Sequence, residues 1–427
     1  MTDHEAHDAT TEDVPDDLIQ QEALGDVRLL TIPGFRWLVL SHAAGNLAFW
    51  GYFGALIAEA TFRLDGSPRQ LAIFGASLSL PFVVGMVVQG LFVDRWSPKW
   101  LNFGGYVIIG GAIAVGWYGS TLLWMYLSSF LVGLGAAAIE PARSALTGLL
   151  VPDKDLVRAN GVLAVAFQAS LLGGTLLGGL LLTAYGSPTV FAVSFVLVLV
   201  SFPLAIAVPD VRQQGEIPEL TVRDLTRGVR TAWRLPELRL LLFVTAVGWM
   251  VFNAFFVLEP LYIRYVLGRP DEAVLYLWSA HGFGAILGAV AVARFKSASG
   301  KELTLVGAGV VTSGFGLLLY AGPAVYQLSF IGAAFMGAGL AFMFPAALAL
   351  VQRVVEEEER GRVSAVLLSL QEFMALVGSL LIVIFGLSTD AVQGVLIGVG
   401  VAMVLIGLLG LRAVRRLRAR TDARSDG

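Results

Sequence analysis

Residues 90–99 read Gly-Leu-Phe-Val-Asp-Arg-Trp-Ser-Pro-Lys and place two opposite charges inside a long apolar sequence. No charged side chain occurs in residues 70–93, Asp94 and Arg95 then follow one another, and residues 100–139 are again free of charge. About twenty apolar residues cross the hydrocarbon core of a bilayer as a helix. The pattern therefore predicts a cytoplasmic turn between two membrane-spanning helices.

The whole chain has the composition of a membrane protein. Its 427 residues are 56% hydrophobic and 14% charged, whereas soluble domains carry about 25% charged residues. Only helices and closed barrels satisfy their backbone hydrogen bonds in lipid. Because the apolar runs are continuous rather than alternating, we predict an all-α membrane protein. The chain has no cysteine and its four histidines form no metal-binding pattern, so no metal or other cofactor is expected.

Twelve apolar runs are long enough to span a bilayer, and the longest break between them falls after the sixth. This arrangement predicts two six-helix bundles joined by a polar connection. The predicted spans are residues 35–60, 70–94, 100–120, 122–150, 158–184, 188–208, 238–264, 272–294, 302–321, 324–352, 362–387 and 391–411. The predicted domains are a disordered cytoplasmic N-terminal tail (1–32), an N-terminal bundle (33–208), a cytoplasmic linker (209–237), a C-terminal bundle (238–411) and a basic cytoplasmic C-terminal tail (412–427).

The two halves of the sequence resemble each other at a constant separation of 204 residues. This separation pairs Gly133 with Gly337 and Pro141 with Pro345. The correspondence extends through two spans and the loop between them, so chance matching of glycines is a poor explanation. Duplicated halves around a central site are typical of secondary transporters, and we expect the two bundles to be pseudo-symmetric.

Basic residues predict the orientation, because cytoplasmic loops of membrane proteins carry an excess of Lys and Arg. With both termini inside the cell, only four of the 29 Lys and Arg residues would lie on the outer side. We therefore predict a multi-pass protein of the inner or plasma membrane with both termini in the cytoplasm. The four outer residues are Arg63, Arg69, Arg264 and Arg269.

The turn at residues 90–99 resembles the loop signature of the major facilitator superfamily of transporters. Gly90, Asp94, Arg95 and Lys99 occupy its glycine, Asp-Arg and basic positions. The resemblance implies the fold of that superfamily and a gating role for these four residues, in which Asp94 helps to lock the inner gate against the start of span eleven. The alternative is a turn whose basic residues only anchor the membrane surface.

Two further segments resemble exporters of siderophores, macrolides and drugs in the same superfamily. They are Pro-Ala-Arg-Ser-Ala-Leu at residues 141–146 and Pro-Leu-Tyr-Ile-Arg at residues 260–264. Two efflux signatures are degraded, since Thr175 replaces the proline of one and Ser129 replaces the arginine of the other. The resemblance implies export of small amphipathic compounds in exchange for protons.

Three acidic residues inside the spans are candidates for proton coupling. Charged groups in a membrane are costly and usually functional, and burial favours the protonated form of a carboxyl. Glu372 is the leading candidate, followed by Glu140 and Glu259. Glu140 and Arg143 stand three residues apart on one helix face and are expected to form an ion pair. The alternatives are a purely structural ion pair and a neutral, hydrogen-bonded Glu372.

Polar and aromatic residues within the spans are candidates for lining a substrate cavity, with ordinary helix packing as the alternative. Their mixture suits an amphipathic substrate. The predicted cavity residues are Asn46, Trp50, Gln168, Trp249, Asn253, Phe256, His281 and Gln371.

These observations predict a monomeric secondary active transporter that exports small amphipathic compounds by alternating access. Its expected partners are the substrate, protons and membrane lipids, without nucleic acid. No nucleophile and base occur in a catalytic pattern, so an enzyme is not expected. Two alternatives stay open: a uniporter or lysolipid flippase of the same fold, and a non-transporting membrane sensor or scaffold that docks through its acidic N-terminal tail.

Overall fold

The computed structural model of the protein describes residues 29–92, 97–152, 155–211, 222–293 and 301–425. Within these ranges the chain forms thirteen α-helices and one short 3₁₀ helix. The prediction of an all-α membrane fold is confirmed. The α-helices are α1 (Pro33–Phe62), α2 (Pro68–Phe92), α3 (Pro98–Tyr118), α4 (Leu122–Leu150), α5 (Leu156–Tyr185), α6 (Ser187–Ala207), α7 (Val222–Arg234), α8 (Pro236–Tyr265), α9 (Glu272–Ala293), α10 (Glu302–Ala321), α11 (Tyr326–Val354), α12 (Glu357–Phe385) and α13 (Val392–Ser425).

Ten of the described helices, α3 to α6 and α8 to α13, are long and apolar enough to cross a membrane. The predicted count of twelve also includes α1 and α2. Helix α1 is less apolar because His42, Asn46 and Glu59 interrupt it. Helix α2 is followed by residues that the structure does not describe. The remaining helix, α7, is short and basic and lies in the predicted linker.

Prolines and glycines set the ends of several helices. Helices α1, α2, α3 and α8 each begin at a proline, a residue whose fixed φ suits the first helical position and whose missing N–H costs nothing there. Gly186 separates α5 from α6 with φ at +80°, and Gly386 ends α12 with φ at +62°. Glycine adopts positive φ angles without the steric cost of a Cβ atom. These turns keep consecutive helices antiparallel.

The helices pack as two related bundles, α1–α6 and α8–α13. In the first bundle α1 packs on α5, α2 on α4, and α3 on α4 and α6. In the second bundle α8 packs on α12, α9 on α11, and α10 on α11 and α13. These pairs correspond one to one. The bundles meet where α2 contacts α12 and α5 contacts α9, so the contact between them has the same two-fold relation.

Two glycines allow close helix contacts at equivalent places in the bundles. A Cβ atom added to Gly133 of α4 would clash with the main-chain oxygen of Leu78 in α2. One added to Gly337 of α11 would clash with the main-chain oxygen of His281 in α9. Small residues let membrane helices approach each other closely. The repeat predicted from the sequence is therefore visible in the packing.

The sequence predicts only a polar linker between the bundles, but residues 222–234 of that linker form helix α7. Gly228 packs against the main chain of Arg362 in α12. The Thr231 hydroxyl donates a hydrogen bond to Glu359 of α12 over 3.0 Å, and the Arg362 guanidinium donates to the other oxygen of that carboxylate over 2.8 Å. The connection between the bundles is thus attached to the beginning of α12.

The two ends of the protein are named here by the predicted orientation. The predicted outer end carries the turns α1–α2 and α8–α9, and the predicted inner end carries α7 and the end of α13. This assignment of turns follows from the alternating direction of successive helices.

Candidate functional site

At the predicted outer end, one arginine joins the two bundles. Arg264, in the last turn of α8, donates hydrogen bonds to the main-chain oxygen of Thr61 in α1 and to the carboxylate of Asp65 in the α1–α2 turn. Its guanidinium also lies 5.7 Å from the centre of the Phe62 ring and 5.0 Å from that of Tyr265. We call Arg264, Thr61 and Asp65 the outer latch.

Below the outer latch, aromatic side chains from both bundles form a continuous cluster. The rings of Phe256 and Trp278 stack at 4.4 Å, and Phe53 of α1 lies 6.0 Å and 6.2 Å from them. Trp50 of α1 lies 6.2 Å from Trp278 and 5.9 Å from Phe167 of α5. We call these five residues the aromatic cluster. It closes the contact between the bundles on the predicted outer side.

A buried carboxylate holds Trp278 in this position. Glu259 of α8 is 1% exposed. One of its oxygens accepts a 2.7 Å hydrogen bond from the Trp278 indole, and the other accepts a 2.7 Å bond from the Tyr320 hydroxyl. Both distances fall in the normal range for hydrogen bonds. Because both oxygens have donors, the geometry favours a positioning role for Glu259 over proton exchange.

The N-terminal bundle contributes a polar cluster nearer the predicted inner end. Arg143 donates to Glu140 over 2.6 Å on α4. On α1, which contacts α4, the Asn46 amide lies 3.1 Å from a ring nitrogen of His42. The Glu140 side chain is 41% exposed although it lies within a spanning helix. We call these four residues the polar cluster.

The C-terminal bundle has polar groups of its own on α8 and α12. Glu372 of α12 is half-buried. Its neighbour Gln371 is buried, with 4% exposure. Asn253 of α8 accepts a 2.8 Å hydrogen bond from Ser379 of α12. Each bundle therefore carries an acidic side chain within a spanning helix, Glu140 in α4 and Glu372 in α12.

Two predicted cavity residues carry buried hydrogen-bond donors. The indole nitrogens of Trp50 in α1 and Trp249 in α8 are buried and have no acceptor among the residues that the structure describes. Buried polar groups are nearly always hydrogen-bonded. One such donor in each bundle suits a bound molecule with hydrogen-bond acceptors.

The remaining predicted cavity and gating residues belong to neither cluster or lie outside the described residues. His281 lies 6.0 Å from the ring of Phe252, and Gln168 is half-buried next to Phe167. Of the predicted gating residues, Asp94 and Arg95 lie outside the described residues. Gly90 falls in α2, and the Lys99 ammonium lies 5.4 Å from the ring of Trp100. Within the described ranges, no group of three His, Asp or Glu residues is placed to hold a metal ion.

Three members of the aromatic cluster, Phe53, Phe167 and Trp278, are not among the residues predicted from the sequence. One sequence signal could have identified Trp278. The 204-residue separation pairs it with Phe74 of α2, and Phe74 stacks on Phe53 at 5.4 Å in the structure. Phe74 and Trp278 thus both contact Phe53, Phe74 within the N-terminal bundle and Trp278 across the bundles.

The site as a whole is amphipathic. Its aromatic part lies towards the predicted outer end, and its ionic part lies on α4 and α12, towards the predicted inner end. Such a surface suits a molecule with an apolar body and a polar or charged group.

Comparison with known proteins identifies the family. The Major Facilitator Superfamily matches residues 38–379. An uncharacterized MFS-type transporter of Bacillus subtilis, YfiS, is 25% identical over 386 residues, which are 88% of this chain and 90% of that protein. A solved structure of a mutant peptide transporter POT with alafosfalin matches with a TM-score of 0.71 and 13% identity, covering 92% of this chain and 98% of that one. At that identity the likeness shows the fold alone.

A second group of relatives matches a shorter part of this chain. The lysophospholipid transporter LplT of Pectobacterium carotovorum is 27% identical over 226 residues, which are 51% of this chain and 54% of that protein. This chain therefore matches about half the length of that relative. The match is one of sequence, and the relative is described as a lysophospholipid transporter.

Proposed function

Because this chain belongs to the Major Facilitator Superfamily and is a multi-pass membrane transporter, we propose that it exports small amphipathic compounds by alternating access. The division of the site into an aromatic cluster and a polar cluster carries the proposal. The apolar body of the substrate would lie against Trp50 and Phe256, and its polar group would lie near Arg143 and Glu140. Proton exchange through Glu372 is proposed as the driving reaction, in a cell inner membrane with both termini cytoplasmic.

A lysophospholipid is the second candidate substrate, moved by a uniporter or flippase. The likeness to LplT supports it, although it covers about half of that protein. The unpartnered indole donors of Trp50 and Trp249 support it as well, because phosphate oxygens are strong acceptors. The comparisons do not support the other alternative, a non-transporting sensor or scaffold.

Transport by the purified protein in liposomes tests both candidates. We expect a fluorescent lysophospholipid or a fluorescent amphipathic drug to cross at least about tenfold faster than in empty liposomes. Trp50→Phe and Trp249→Phe should each slow the preferred substrate about fivefold, because a net hydrogen bond contributes about 1 kcal/mol. Trp117→Phe, at the exposed edge of α3, is the matched control. If neither substrate crosses faster than in empty liposomes, the proposal fails.

Opening of the outer latch is a separate consequence of alternating access. We expect Arg264→Gln to raise the population open at the predicted outer end about tenfold. The bond to the Thr61 carbonyl contributes about 1.5–3 kcal/mol, whereas an exposed ion pair such as that with Asp65 contributes less than about 1 kcal/mol. Asp65→Asn should therefore have the smaller effect.

The latch can be followed by spin labels, because the chain has no cysteine of its own. Labels at Ser67→Cys and Asp271→Cys report the separation between the α1–α2 and α8–α9 turns by electron–electron resonance. Arg269→Gln is the matched control, since Arg269 lies 4.7 Å from the Tyr326 ring within the same bundle. An unchanged distance distribution in Arg264→Gln would rule out the latch.

A further inference from the structure

Helix α7 exposes apolar and basic side chains next to each other. Trp233 and Val229 are 63% and 47% exposed and lie four residues apart on one face. Arg227, Arg230 and Arg234 are exposed on the adjoining face, since residues three and four apart share a helix face. Tryptophan is enriched where membrane meets water. Basic residues beside such a face are attracted to anionic lipid.

Helix α7 lies next to a membrane-spanning helix. One residue, Leu235, separates its end from α8, which is long and apolar enough to cross the bilayer. The exposed Trp233 and the arginines of α7 therefore lie close to the level at which α8 enters the membrane at the predicted inner end.

We propose that α7 binds an anionic phospholipid of the inner leaflet. The headgroup phosphate would lie on the arginines of α7. The acyl chains would lie along Trp233 and Val229. The charge of the surface is complementary to an anionic headgroup, and its apolar strip is complementary to the lipid chains. A zwitterionic lipid offers no net charge to these arginines.

The attachment of α7 to α12 gives the bound lipid a route to the transport machinery. Thr231 of α7 and Arg362 of α12 share the carboxylate of Glu359 as acceptor. Gly228 packs on the main chain of Arg362. A lipid that holds α7 at the membrane surface therefore stabilises the first turns of α12, the helix that carries Glu372. Stabilisation by lipid is accordingly expected even in the absence of substrate.

Lipid titration of the full-length protein in detergent micelles tests this proposal without a transport assay. Phosphatidylglycerol is expected to raise the melting temperature saturably, and phosphatidylcholine is not. Replacing Arg227, Arg230 and Arg234 by Gln should weaken the apparent affinity for phosphatidylglycerol roughly 100-fold, from about fivefold for each arginine. The same three changes to Lys should keep most of the affinity, because the charge remains. High salt should weaken binding to the wild-type protein.

The matched control removes three charges from the opposite end, as Arg63→Gln, Arg69→Gln and Arg269→Gln, and should keep the wild-type affinity. Single substitutions, each expected to cost about fivefold, serve if the triple variant does not fold. Equal shifts with both lipids, or full affinity in the triple Gln variant, would overturn the proposal. The proposal would also fail if, after deletion of residues 1–28, the triple Gln substitution no longer weakened the affinity for phosphatidylglycerol. The arginines of α7 would then bind the acidic N-terminal segment rather than the lipid.

Discussion

Replacing Glu259 by leucine is expected to lower the melting temperature clearly and to reduce transport at least about tenfold. The substitution removes the acceptor for both the Trp278 indole and the Tyr320 hydroxyl. Each buried donor left without a partner costs about 1–3 kcal/mol, so the expected loss of unfolding free energy is roughly 2–6 kcal/mol. Trp278 then loses its fixed position in the aromatic cluster, and the contact between the bundles loosens.

Glutamine at the same position separates positioning from proton exchange. Its amide oxygen can accept from Trp278, and its amide nitrogen can donate to the Tyr320 oxygen. Glu259→Gln should therefore keep the melting temperature within a few degrees of wild type and keep the response of transport to a pH gradient. A stable Glu259→Gln protein that no longer responds to the gradient would make Glu259 a proton carrier and contradict the positioning role.

Trp278→Phe provides a second measurement of the same contact. It preserves the ring stacked on Phe256 but removes the indole donor from one Glu259 oxygen. In a double-mutant cycle with Glu259→Leu, the two changes should be clearly non-additive, because residues that share a hydrogen bond are coupled. Additive effects on the melting temperature would indicate that the contact contributes little.

The fold was predictable because its strongest determinant is local. Continuous apolar runs of membrane length identify helices with few alternatives, and the prolines and glycines at their ends fix the turns. Helix α7 was not predicted because its apolar residues, such as Val229 and Trp233, are spaced singly among arginines. A reading based on hydropathy classifies such a segment as polar. Only helical periodicity reveals its apolar face.

The site was predictable only where its contacts are local. The spacing of Glu140 and Arg143 indicates a shared helix face, and these residues lie together in the structure. The contact of Phe53 with Trp278 joins residues far apart in the chain and depends on how each helix is rotated about its axis. Periodicity does not fix that rotation when a helix is apolar on all sides. The sequence therefore gives candidate residues but not their partners across the bundles.

Glu372 and Glu140 present a specific electrostatic problem for alternating access. They lie on opposite bundles, Glu140 on α4 and Glu372 on α12. Two unit charges that approach to about 4 Å repel by about 4 kcal/mol at an effective dielectric constant near 20. Arg143, paired with Glu140, reduces this repulsion, and the remainder opposes any motion that brings α4 and α12 together while both carboxyls are ionised. Protonation of either carboxyl removes the repulsion.

Glu372→Gln is expected to abolish the response of transport to an imposed pH gradient. Glutamine has the shape of a protonated glutamic acid but exchanges no proton, so gradient-driven transport should fall at least about tenfold, while substrate exchange without a gradient should continue within about twofold. The matched variant Glu140→Gln removes the opposing charge but also leaves Arg143 without its ion-pair partner, so it should lower stability as well. Proteoliposomes loaded at different internal pH provide the measurement. If Glu372→Gln keeps the gradient response and Glu140→Gln loses it, the proton is carried on α4.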